Sequence, residues 1–70
     1  MRKVIIDDFK DSRTIRACYM GKNKALEYGR WYNIRFMEKR KTVSVPLCDN
    51  PDLEKSNSGM EFSMGKFYIE

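Results

Sequence analysis

The sequence predicts an all-β fold, a small and partly open antiparallel barrel of five or six strands. Three observations predict it. Apolar residues recur at every second position in the segments 14–20, 30–38 and 42–48, the spacing of a strand with one buried face. Segments rich in Gly, Asn, Asp, Ser, Pro and Lys separate them and act as turns. Finally, 70 residues hold one domain, spanning 1–70, and are too few for a sandwich of two full sheets. A bent barrel hides strand edges with less chain. A domain of this size buries only roughly 60% of its unfolded surface. Its nine aromatic residues are therefore the main core material.

Taken in order, Val4, Ile5 and Ile6 read as a short first strand because all three are β-branched. Asp7 to Ser12 is polar except for Phe9 and reads as a loop. From Thr14 to Met20, Ile15, Ala17 and Tyr19 share one face, and Arg16, Cys18 and Met20 the other. Gly21 to Lys24 is a turn. Ala25 to Gly29 is too short for a stable helix and reads as a single turn ended by a left-handed Gly29. Arg30 to Glu38 is the clearest strand: Tyr32, Ile34 and Phe36 face inward, and Trp31, Asn33, Arg35 and Met37 outward. Lys39, Arg40 and Lys41 form a hydrophilic turn, and Thr42 to Cys48 returns with Val43, Val45 and Leu47 inward and Pro46 at an edge position. Asp49 to Gly59 is expected to be the longest and most mobile loop. Met60 to Met64 alternates around Phe62. Phe67 and Ile69 continue out of phase, so a bulge or tight turn is expected at Gly65.

Charge is unevenly placed along this framework. The net charge is +4, yet Arg13 to Lys41 carries nine bases and two acids, while Thr42 to Glu70 carries two bases and five acids. Such a field attracts polyanions or an acidic protein surface. It also serves simply to keep a small domain soluble. The sequence has no histidine and two cysteines, Cys18 and Cys48, too few ligands for a zinc site. A Cys18–Cys48 bridge is open on sequence grounds. With no leader-like apolar segment at Met1 to Ile6, two free thiols in a cytoplasmic protein are the expectation. No apolar run approaches the roughly 18 residues of a membrane span.

The stretch Tyr19-Met20-Gly21, followed by Leu26-Glu27-Tyr28-Gly29-Arg30-Trp31-Tyr32-Asn33-Ile34, resembles small orphan proteins of bacteriophages and prophages. These read tyrosine, any residue, glycine, then leucine, two residues, glycine, lysine, one residue, tyrosine and a β-branched strand. Arg30 stands where lysine is usual. The resemblance covers about a quarter of the chain. It implies a barrel of the Src-homology-3 type, and by association a phage protein that binds and modulates a host protein in the host cytoplasm.

The residues themselves offer little catalytic equipment. Without histidine, acid–base chemistry would fall to carboxylates, Lys, Tyr or Cys. Asp7, Asp8 and Asp11 read as a solvated loop rather than a magnesium site, and neither cysteine has a histidine to activate it. No enzyme activity, metal or cofactor is expected. More informative is the outward face of the central strand. Trp31 with Arg16, Arg30, Arg35 and Met37 has the composition of a protein-binding platform. In the contrasting structural reading, Trp31 closes one end of the barrel with Arg35 stacked over it. The alternative function is a nucleic-acid-binding barrel that uses the basic 13–41 region, with Lys39, Arg40 and Lys41 gripping phosphates.

Overall fold

Six antiparallel strands form one sheet in the computed structural model, which describes residues 1–53 and 60–70. They are β1 (Arg2–Lys3), β2 (Thr14–Tyr19), β3 (Trp31–Met37), β4 (Thr42–Ser44), β5 (Glu61–Phe62) and β6 (Phe67–Ile69). Their order across the sheet is β1-β6-β2-β3-β4-β5. The described residues contain no α-helix, only short 3-10 turns at Ile6–Phe9, Leu47–Asp49 and Met64–Lys66. The fold is therefore all-β, as the alternation predicts.

Connectivity forces the sheet to curl. In a flat sheet β5 and β6 would stand four strand spacings apart, about 19 Å at about 4.8 Å each. Four residues join Phe62 to Phe67, and three of them sit in the Met64–Lys66 turn, where the rise is only about 2 Å per residue. The edge strand β5 must therefore swing back toward β6. The aromatic rings record that curl. Tyr19 on β2 lies 5.2 Å from Phe67 and 6.0 Å from Phe62, and Phe62 and Phe67 lie 6.3 Å apart, edge to face. No ladder joins the two edge strands, so the barrel stays partly open.

The inward positions of β2, β3 and the following segments form the core: Ala17, Tyr19, Tyr32, Ile34, Val43, Val45, Phe62 and Phe67 are all buried. Phe36 is half-buried and stacks on Phe9 at 5.2 Å, which closes one end of the barrel. The turn at Gly65 is the 3-10 turn Met64–Lys66, and it resets the phase for Phe67 as expected.

Three expectations need correction. The first strand is Arg2–Lys3, not Val4 to Ile6: Val4 is buried, but Ile5 and Ile6 are exposed. Asp8 causes this. Its carboxylate accepts the Ile5 N–H at 2.8 Å and binds Arg2 at 2.6 and 3.0 Å, folding the chain into a 3-10 turn directly after Val4. Local hydrogen bonding overrides β-propensity here. Next, β4 ends at Ser44, and Leu47 is only half-buried in the Leu47–Asp49 turn. Third, Gly29 does not cap a helical turn. The Arg30 N–H donates to the Glu27 carbonyl at 3.2 Å, and Gly29 has φ +82°, so Glu27 to Arg30 is a β-turn with Gly29 in its third position, as a type II turn requires. Of the 49–59 loop, residues 54–59 lie outside the described residues, and so does the expectation of mobility there.

The motif at 19–34 now has a physical reading. The Tyr19 hydroxyl accepts the Asn23 N–H at 2.9 Å, and its ring lies against Gly21, where a Cβ would overlap the ring atoms. Leu26 is buried, and the Tyr32 hydroxyl accepts the Glu27 N–H at 2.8 Å. Tyr19, Gly21, Leu26, Gly29 and Tyr32 thus shape the β2–β3 connection.

Three outcomes follow for stability. Gly21→Ala should cost about 1–3 kcal/mol in urea unfolding, because the Tyr19 ring is buried and cannot move aside. Gly65→Ala should be neutral within about 0.5 kcal/mol, since its Cβ would meet only Ser63 Oγ at 3.9 Å. The Arg2 hydrogen bond holds the Asp8 carboxyl below its ordinary value of 3.8. Its stabilisation is complete above that value and is lost as pH falls through the lowered one. Acid titration of unfolding should therefore show a shallower loss below about pH 4 for Asp8→Asn than for the native chain.

Candidate functional site

The cleft that gathers most of the sequence-predicted residues exists because β4 stops early. Tyr19 N–H donates to the Arg30 carbonyl at 2.9 Å and Phe36 N–H to the Arg13 carbonyl at 3.0 Å. With the pairing Thr14↔Arg35 to Cys18↔Trp31, this fixes the phase: even-numbered residues of β3 bond to β2. Trp31, Asn33, Arg35 and Met37 therefore direct their backbone groups to the opposite side. There Arg35 faces Ser44 and Met37 faces Thr42. Continued by two residues, that register would set Pro46 opposite Asn33. Proline has no N–H to donate.

Asn50 fills the gap. Its side-chain oxygen accepts the Asn33 N–H at 2.8 Å, and its amide nitrogen donates to the Asn33 carbonyl at 2.9 Å and the Pro46 carbonyl at 2.8 Å. The Asn33 amide in turn donates to the Asp49 carbonyl at 2.7 Å. Asn50, itself buried, stands in for a strand residue and pins the segment 49–53 beside β3. A cleft of about 340 Å³ lies between this segment and the sheet. Arg16, Arg30, Trp31 and Asn33 line one side, and Asp49 to Leu53 the other.

Trp31 is half-buried at one end of a row on the outer face, in which Lys3, Tyr68, Cys18 and Trp31 are successive cross-strand neighbours. Arg16 is exposed one step along β2, opposite Asn33. Arg30 lies over the Tyr32 ring at 5.4 Å and approaches Glu27 at 3.8 Å. Arg35 does not cover Trp31: its guanidinium pairs with Asp49 at 3.3 Å, on the rim of the cleft. Met37 lines a second hollow with Arg13, Arg35, Lys39, Arg40 and Glu61 at the β3–β4 end, apart from Arg16, Arg30 and Trp31.

The hairpin bases also divide. Arg40 pairs with Glu61 at 3.3 Å, and Thr42 donates its hydroxyl to the same carboxylate at 2.6 Å. Lys41 has φ +56° and lines a different hollow, with Val4, Ile5, Ile6 and Met64. Both cysteines are free, Cys18 buried and Cys48 exposed. Asp8 is committed to Arg2 and Ile5, and no group of three or more potential metal ligands occurs among the described residues. No helix among them is long and apolar enough to cross a membrane.

Sequence reasoning found Trp31 and Arg16 by strand phase and Arg30 as the neighbour of Trp31, but it missed Asn50 and the Pro51 to Leu53 wall. The available signal was Pro46 in a strand position, which demands a substitute donor nearby. Replacing Asn50 with Ala leaves the Asn33 N–H and carbonyl without partners. It should cost about 2 kcal/mol or more in urea unfolding and alter Trp31 fluorescence as the wall loosens. No protein-family model, curated protein or solved structure matches the chain.

Proposed function

We propose that the chain is a non-enzymatic protein-binding module, a phage-encoded modulator of a host protein, that engages its partner through the Trp31 cleft. The observation that carries this reading is the grouping of a half-buried Trp31 with Arg16 and Arg30 on one side of a walled cleft. Trp and Arg supply much of the binding energy in protein interfaces when a rim of other residues excludes water around them. Pro51, Asp52 and Leu53 provide such a rim. The phage and host elements of the proposal rest on the resemblance at 19–34 alone.

The second reading, a nucleic-acid-binding barrel, draws on the hairpin tip. Lys39 and Lys41 are exposed and form no ion pair among the described residues, so both are available to phosphates. The splitting of Lys41 from Lys39 and Arg40 into separate hollows weakens a single phosphate-gripping patch.

One experiment separates the two. The tagged chain is used to retrieve partners from bacterial lysate with and without nuclease, beside Trp31→Ala and a Lys39→Glu, Arg40→Glu, Lys41→Glu variant. The expected result is one host protein retained after nuclease, bound at least tenfold more weakly by Trp31→Ala and equally by the hairpin variant. Diverse proteins that vanish with nuclease and with the hairpin variant would establish the nucleic-acid reading instead.

A further inference from the structure

The edge of β3 is covered unevenly. Arg35 and Met37 face β4, and Asn33 is capped by the Asn50 side chain. Trp31 is the next residue in the same phase, and its N–H and carbonyl point to the same side. No hydrogen bond reaches either group among the described residues. Trp31 lines the cleft walled by Pro51 to Leu53.

A backbone donor and acceptor on one strand residue match another extended peptide, which offers an acceptor and a donor at the same spacing. Nucleic acid has no such repeating pair. The flanking charges restrict the occupant further. Arg16 on the outer face has no acidic partner among the described residues, and Arg30, on the opposite face, has only a long 3.8 Å pairing with the exposed Glu27; of the acids on the far wall, Asp49 is paired with Arg35 and Asp52 is exposed. A strand laid along this edge alternates its side chains between those two faces. Acidic side chains at successive positions would then meet Arg16 on one face and Arg30 on the other.

We propose that the open edge of β3 at Trp31 accepts an extended, acidic segment of a partner protein, which pairs with Trp31 in the cleft beyond the position that Asn50 fills. This rests on the reading of the Trp31 cleft as a protein-binding site and specifies the form and charge of what it binds.

The test selects displayed random dodecapeptides on the full chain and titrates the synthesised winners into the isotopically labelled protein. Winners are expected to be rich in Asp and Glu among β-branched residues. They should slow hydrogen exchange of the Trp31 amide at least tenfold, and Arg16→Glu, at an exposed position, should weaken them at least tenfold while the amide spectrum stays folded. Winners that bind at the cleft, lose affinity with Trp31→Ala and leave Trp31 amide exchange unchanged would overturn the strand addition and leave the binding module standing. Selection of no peptide, or of peptides that bind away from the cleft, would overturn both. Preference for proline-rich or basic peptides would overturn the stated chemistry.

Discussion

The short connection from β5 to β6 imposes the curl of the sheet, and the packing of Tyr19 against Phe62 and Phe67 holds it. These three rings come from β2, β5 and β6, and they meet only if the edge strand β5 bends back across the barrel. Aromatic pairs of this kind add about 0.5–1.5 kcal/mol each beyond the area they bury, a substantial share in a domain whose core is small. Tyr19 also reaches outward from that cluster. Its hydroxyl fixes Asn23, and its ring fills the space above Gly21. The β2–β3 connection, the start of β3 and hence the position of Trp31 all follow from one buried side chain.

Around that centre the polar interactions complete edges rather than form a core. Asp8 ends β1, Asn50 completes β3, and Glu61 ties β5 to Arg40 and Thr42. The exposed ion pairs contribute little, of the order of 0–1 kcal/mol each. Asn50 is different in kind because it is buried and satisfies backbone groups that would otherwise lack partners.

The strand interiors were legible because burial imposes a period of two that side chains record directly, as Ala17, Tyr19, Tyr32 and Ile34 do. What was not legible was where strands stop. Ile5 and Ile6 have strand character, but Asp8, three residues beyond Ile5, removes them from the sheet through a single carboxylate. Asn50 acts on Asn33 across 17 residues and leaves no periodic trace. The candidate site shows the same division. Phase placed Arg16 and Trp31 on one face, but phase says nothing about position along a twisted strand, so Met37 was grouped with residues from which the hairpin end separates it. The wall at Pro51 to Leu53 comes from a segment with no pattern, held by a side chain outside any strand.

Most of the connection between β2 and β3 is occupied with shape, and only its end, at Arg30 and Trp31, reaches the cleft. Tyr19, Gly21, Leu26, Gly29 and Tyr32 fix a turn and its packing, whereas Arg16 and the wall residues Pro51 to Leu53 lie outside it. The connection and the surroundings of the cleft are therefore built from largely separate residues. Changes at Arg16 or along the wall would retune the cleft while the frame beneath it stands unaltered.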